Sequence, residues 1–252
     1  MAVDVTFPPD HALAAESASP EVILAAAAHE LRLPLSHIKG FVSSLRRTDI
    51  TWDTKTTGEF LEEIELEADR LGELINALLS KGAGDRRGYV TRELRPTTPA
   101  HLLQSALRRA HLILQDRRVE VDVPQWLPPF RMDRDGMERV LTNLLENAVK
   151  YSPGDTPIEV SAHVVDGGDL EIVVADRGVG VAPVDRARVF QLFYRSETRI
   201  PGHGLGLTIA LSIVRAHGGQ IQLIGRRGGG TRVSVLIPKN IHTGSAATDR
   251  SP

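Results

Sequence analysis

The sequence predicts a two-part protein: an α-helical hairpin that pairs with a second copy as a four-helix bundle, followed by an α+β two-layer sandwich. Three observations carry this. Two stretches space their apolar residues alternately three and four apart, which is the seam of a coiled coil. A glycine- and charge-rich run then interrupts the chain at 81–92. Beyond it helical stretches alternate irregularly with period-two strands, without the regular strand–helix repeat of a parallel sheet.

Residues 1–17 carry Pro8-Pro9 and no sustained periodicity, and read as a tail. Ser19-Pro20-Glu21 is a helix start: a capping hydroxyl, a proline at the first helical position and an acid at the positive helix end. The first seam runs Leu24, Ala28, Leu31, Leu35, Ile38, Val42 and Leu45; the second runs Leu61, Ile64, Ala68, Leu71, Ile75 and Leu78. The polar stretch from Arg46 to Asp53 is short enough to turn one helix onto the other. Two helices enclose little core alone, so a homodimer through residues 20–80 is expected. Helices are predicted over about 98–116 and 134–151. Strands are predicted at Val119 to Val123, Ile158 to Val160, Leu170 to Ala175 and Arg232 to Ile237. The resulting segments are 18–82 for the hairpin, 83–92 for a linker, 93–239 for the sandwich and 240–252 for a small, polar, disordered tail.

Composition narrows the function. The 252 residues are 41% hydrophobic and 25% charged with a net charge of −2, which gives no electrostatic case for nucleic acid as a partner. The chain has no cysteine, so thiolate nucleophiles, disulfides and cysteine-based zinc sites are excluded. No apolar run approaches the roughly 20 residues that span a bilayer, and no signal-peptide pattern opens the chain. No membrane segment and a cytoplasmic location are therefore expected.

Four constellations carry chemistry. His29 lies inside the first seam helix beside Ala28, with Glu30 next and Pro34 five residues on, where a missing backbone donor should bend the helix. It should flank the seam and face solvent. A neutral imidazole is a nucleophile near pH 7, and a neighbouring carboxylate can take the proton from one ring nitrogen. An exposed helical histidine is ordinarily only surface, and the other eight histidines are read that way. Second, Asn143 and Asn147 stand one turn apart on one helix face, with Lys150 and Tyr151 following. Amide oxygens there suit a hydrated Mg²⁺. Third, Asp176-Arg177-Gly178-Val179-Gly180 follows an apolar strand, placing a carboxylate where it could accept from an exocyclic amine and glycines where backbone must come close. Fourth, Gly202, Gly204, Leu205 and Gly206 lead into an apolar helix, a phosphate-binding arrangement. No strand precedes that cluster, so a dinucleotide fold is ruled out.

The run from His29 to Ile38 resembles the H-box of sensor histidine kinases of two-component systems. The other three, with Phe190-Gln191-Leu192-Phe193-Tyr194-Arg195, resemble that family's N, glycine and F boxes, over about residues 20–239. The resemblance implies a Bergerat-type ATP-binding fold and an ATP-dependent histidine kinase acting on a response regulator receiver domain. It makes His29 the phosphoacceptor with Glu30 its helper. Asn147 would coordinate Mg²⁺ with Asn143 in support, Lys150 would contact phosphate, Tyr151 would pack on adenine and Asp176 would bind its amino group. Gly178, Gly180 and Thr231 would shape the base pocket and Gly202, Gly204 and Gly206 the phosphate end, with Arg195 and Leu205 also nucleotide-binding, under a short lid over about 182–201. A silent nucleotide-binding scaffold and a gyrase-type ATPase are the competing readings. One position departs: many relatives carry Thr or Asn four residues after the phosphoacceptor, and here it is Leu33. An alkyl group cannot orient a water for dephosphorylating the regulator, so phosphatase activity is expected to be weak.

Overall fold

The computed structural model describes residues 20–82, 93–124, 126–165, 167–195 and 204–239, without the side chains of 20–26, 29–30, 69–70, 73 and 76–82. The expectations for both tails, for the linker and for the Ser19 cap lie outside the described residues. The chain divides into two compact units. One is built on residues up to Val90 with Val181–Ser212; the other is built on Thr91–Gly180 and residues from Ile213.

The hairpin consists of α1 (Pro20–Leu45) and α2 (Thr54–Gly82). Asp53 caps α2, its Oδ1 accepting from the Thr56 amide at 2.7 Å. Phe60 meets Phe41 at 5.4 Å and Trp52 at 5.1 Å between ring centroids, while the Trp52 indole donates to the Ser44 carbonyl at 2.9 Å. These contacts close the turn end. Along the helices the two seams split by heptad position. Leu31, Ile38 and Leu45 on α1, and Ile64 and Leu71 on α2, are half-buried; Ala28, Leu35, Val42, Leu61, Ala68 and Ile75 are exposed. One position of each predicted seam is therefore half-buried and its companion exposed, while the buried side chains described in the hairpin, Ala27, Pro34, Glu67 and Leu74, lie on neither predicted seam. The fully buried small residue near His29 is Ala27, not the seam residue Ala28.

The second unit opens with β1 (Arg95–Thr97), paired antiparallel with β3 (Phe130–Met132). The helix expected over 98–116 is broken at Ala110 into α3 (Pro99–Arg109) and α4 (His111–Leu114). Thr98 caps α3 with Pro99 at its first turn. The main sheet has the order β2 (Val119–Asp122), β4 (Ile158–Val164), β5 (Leu170–Ala175), β7 (Thr231–Ile237), β6 (Gln220–Gly225); β2 runs parallel to β4 and the other pairs are antiparallel. Register sets the layers. Val160, Ala162, Leu170, Ile172, Val174, Val233, Val235, Ile221 and Leu223 share one face and are buried. α5 (Arg134–Tyr151) packs on β4 and β5 and carries α3 on its side. Its buried stripe is Met137, Val140, Leu141, Leu144, Leu145 and Ala148. The opposite sheet face bears Glu159, His163, Glu171, Arg232 and Ser234. There the buried Glu171 carboxylate accepts from Ser234 and pairs with His163 at 2.8 Å. This is the expected two-layer sandwich.

α6 (Gly206–Ala216) ends at His217, which is fully buried. Its Nε2 accepts from the Asp133 amide at 2.9 Å and its Nδ1–H donates to the Ile213 carbonyl at 2.7 Å, so both bonds require the neutral ring. Asp133 meanwhile caps α5 through Gly136. Burial pushes the His217 pKa down, against the pull of the Ile213 carbonyl and the Asp133 charge. The folded value therefore lies below the unfolded value of about 6.5. This contribution to stability is complete above that pH and is lost as pH falls through the depressed folded value. Thermal unfolding between pH 7.5 and 5 should show a steeper acid-side loss for the native chain than for His217→Gln; parallel curves would remove this account.

Candidate functional site

The second unit gathers one end of β5, one end of α5 and the turn between β6 and β7. Asp176 stands immediately after β5 and is 7% exposed. Its Oδ1 accepts from the amides of Gly178 at 2.7 Å and Thr231 at 3.2 Å, and its own amide donates to the Thr231 carbonyl at 2.9 Å. Burial pushes the Asp176 carboxyl upward. The Gly178 and Thr231 amides and the charges of Arg226 and Arg117 pull it back only in part.

Two glycines make the convergence possible. A Cβ on Gly178 would lie 2.0 Å from the Tyr151 carbonyl oxygen. The next amide, of Val179, donates to that same oxygen at 3.3 Å. Gly230 has φ +100°, and a Cβ there would lie 2.1 Å from the Asp176 carbonyl oxygen. Tyr151, Asp176, Gly178, Gly180 and Thr231 are thereby brought to one place. Asn143 and Asn147 lie on α5 leading up to it, both half-buried, and Lys150 holds its Nζ 5.0 Å from the Tyr151 ring centroid. Arg117 fastens this helix end by donating to the Ser152 and Pro153 carbonyls and to the Ser152 hydroxyl.

Within the first unit the segment after Val181 forms two short 3-10 turns, Pro183–Asp185 and Arg188–Phe190. Phe190 is buried, and its carbonyl accepts from Thr208 Oγ1 at 3.0 Å. The Phe193 amide donates to the Gly204 carbonyl at 3.2 Å. Gly204 has φ +68° and no room for a Cβ against Tyr194 and Phe193. Leu205 is buried just before Gly206 opens α6. The F box thus folds directly onto the glycine-led helix. Arg195 is exposed, and Gly202 lies outside the described residues. On α1 the backbone of His29 and Glu30 is helical, their side chains lie outside the described residues, and Leu33 is 43% exposed. The roles of Arg117, Arg226 and His217 are absent from the motif reading; each acts on residues far away in the chain, which no local pattern reports. For Gly230 the run of three glycines was the available signal.

Two family models match the chain: the His Kinase A (phospho-acceptor) domain over residues 21–83, and the histidine kinase-, DNA gyrase B-, and HSP90-like ATPase over residues 132–241. The solved structure of a mycobacterial sensor histidine kinase, MprB, is 31% identical with a TM-score of 0.53, covering 59% of this chain and 99% of that one. The chain belongs to the sensor histidine kinases. Within this family it is 34% identical over 237 residues to the histidine protein kinase DivJ of Caulobacter vibrioides, covering 91% of this chain and 39% of DivJ. It also resembles full-length ShkA solved in complex with AMPPNP, at 27% identity and a TM-score of 0.60, covering 88% of this chain and 46% of that one. The chain spans 25% to 42% of the length of the first curated relatives it matches.

Proposed function

We propose that this chain is the catalytic segment of a histidine kinase that phosphorylates its own His29 from ATP and passes the phosphoryl group to an aspartate of a response regulator receiver domain. The observation that carries this is Asp176, a buried carboxylate held by two backbone amides between α5 and the β6–β7 turn, in a chain that also bears a run resembling an H-box on a hairpin helix. In this reading Asp176 takes the adenine amino group and Tyr151 packs against the base. Gly178, Gly180 and Thr231 shape the base pocket. Lys150, with Arg195, Gly202, Gly204, Leu205 and Gly206, serves the phosphates.

Asn147, supported by Asn143, fits Mg²⁺. Among the described residues no three His, Asp or Glu side chains converge, so an ion here would rest on amide oxygens, phosphate oxygens and water. The ion would neutralise phosphate charge. Glu30 takes the proton from one ring nitrogen of His29; the other nitrogen forms the bond to the γ-phosphorus as the bond to the β–γ bridging oxygen breaks and ADP leaves. Positioning supplies most of the rate.

The outward-facing seam residues Leu35, Val42, Leu61 and Ile75 support a homodimer, because each hairpin leaves half of its heptad positions uncovered. We assign 18–82 to dimerisation and phosphotransfer and 93–239 to ATP binding, joined by 83–92 and working in the cytoplasm. No described helix is long and apolar enough to cross a membrane. Incubation with γ-labelled ATP should give acid-labile, alkali-stable label on the chain that chases onto a cognate regulator. Steady ATP turnover without phosphoprotein would instead favour a gyrase-type ATPase.

Leu33 makes the activity one-sided. Its exposed alkyl chain offers no hydrogen bond to an attacking water. Leu33→Thr is expected to speed regulator dephosphorylation about tenfold, the worth of one water-orienting contact, with autophosphorylation unchanged. A flat dephosphorylation rate would remove this explanation.

A further inference from the structure

We infer that Arg226, held by Glu159, is a positioning residue that sets the base specificity of the nucleotide pocket. The inference rests on the reading of Asp176 as the adenine-amine acceptor. Arg226 follows β6 at the start of the turn that leads to Gly230 and Thr231. Through its backbone it closes that turn, its amide donating to the Gly230 carbonyl at 3.1 Å and its carbonyl accepting from Gly229 at 3.3 Å. Its side chain, only 18% exposed, reaches back across the sheet. One terminal nitrogen donates to both Glu159 carboxylate oxygens, each at 3.0 Å, and the other donates to the Asp176 main-chain carbonyl at 3.3 Å. Glu159 sits on β4 and is held further by Arg177 at 3.2 Å. The guanidinium therefore ties three pieces of chain together: β4, the end of β5, and the turn that supplies the Thr231 amide to Asp176.

The geometry around the Asp176 carbonyl explains why this matters. Gly230 lies so close to that oxygen that a Cβ would stand 2.1 Å from it, and Arg226 donates to the same oxygen. The peptide that carries the Asp176 side chain is thus boxed in by the turn on one side and the guanidinium on the other. A carboxylate so fixed discriminates at the base. Adenine presents a donor amine at C6, whereas hypoxanthine presents a carbonyl acceptor that would face a carboxylate oxygen. Rejection of that mismatch depends on the acceptor being unable to move away. The charge of Arg226 also pulls the Asp176 carboxyl toward its ionised form, against burial. Glu159 keeps the guanidinium aimed; its own carboxyl is held low by Arg226 and Arg177 in spite of partial burial that works the other way.

The test compares ATP and ITP on the full chain, as Kd and as KM and kcat of autophosphorylation, for Arg226→Gln, Arg226→Lys, Glu159→Gln and the control Asp176→Asn. Loosening the brace should raise KM for ATP and cut the ATP-over-ITP preference, each about tenfold, with kcat at saturating ATP within about twofold and ITP affinity little changed. Lysine keeps the charge but not the two-sided fork, so Arg226→Lys should behave like Arg226→Gln. A purely structural role would weaken ATP and ITP equally and leave their ratio at the native value. That result in Arg226→Lys and Glu159→Gln, with Asp176→Asn abolishing the preference, overturns the brace. If Asp176→Asn itself keeps the native preference, the reading of Asp176 fails instead.

Discussion

Label transfer from γ-labelled ATP is expected to fall to background in His29→Gln. Glutamine keeps polarity and approximate length on α1 but has no nitrogen lone pair able to attack phosphorus. The loss should be complete rather than partial, because positioning cannot act without a nucleophile. Nucleotide binding should survive within about twofold. The bonds that hold Asp176 come from the Gly178 and Thr231 amides, all within the second unit. The two readouts together separate a lost acceptor from a misfolded chain. Undiminished acid-labile label in His29→Gln would move the phosphoacceptor to another of the nine histidines. Of these His37 stands next on the same helix, with its Nδ1 2.8 Å from Glu67.

The second large effect is expected from Gly178→Ala. The added methyl would stand 2.0 Å from the Tyr151 carbonyl oxygen and 2.7 Å from its carbon, far inside contact distance. The atoms in the way are backbone, so no side-chain rotation relieves the clash. Either the loop after β5 lifts or the end of α5 moves. Each choice breaks the Val179–Tyr151 bond or the Gly178–Asp176 bond. Overpacking of this kind costs about 1–3 kcal/mol, occasionally more. A fall in unfolding temperature of about 5–10 °C should follow. Affinity for a non-hydrolysable ATP analogue should fall about a hundredfold or more, since the base acceptor loses its support. Gly58, inside α2, is the control: a Cβ there meets nothing within 4 Å, so Gly58→Ala should stabilise by about 0.5–1 kcal/mol. Native affinity in Gly178→Ala would mean that the base does not bind where Asp176 stands.

Both predictions use residues visible as motifs, but the reasons for their size differ. His29 is proposed as acceptor because the seam, the acid and the proline that surround it within a few residues resemble an H-box. Gly178 was legible only as a permissive turn; the carbonyl it must clear belongs to Tyr151, 27 residues earlier and on another element. The strands show the same division. Leu170 to Ala175 was placed correctly because the apolar run from Ile172 to Ala175 marks a strand buried on both faces. β6 was missed because Ile221 and Leu223 give only two apolar repeats between glycines, too few for periodicity to register. β1 and β3, at three residues each, have no periodicity to read. The helix expected through 98–116 breaks at Ala110, where nothing in the apolar spacing marks a stop.

Periodicity and short motifs were enough for the hairpin, the sandwich and the order of the boxes, because each depends on residues within one or two turns of one another. Tertiary structure decided the rest. It settled which half of each seam turns inward, since a spacing of three and four names the stripe but not its partner. It placed Thr231 against Asp176 and Tyr151 under Gly178, since strand pairing joins residues that the chain keeps far apart. It also showed that Arg226 and Glu159, 67 residues apart and unremarkable in sequence, share one ion pair. Local interactions leave a local signature, whereas a contact made by folding has none until the sheet is assembled.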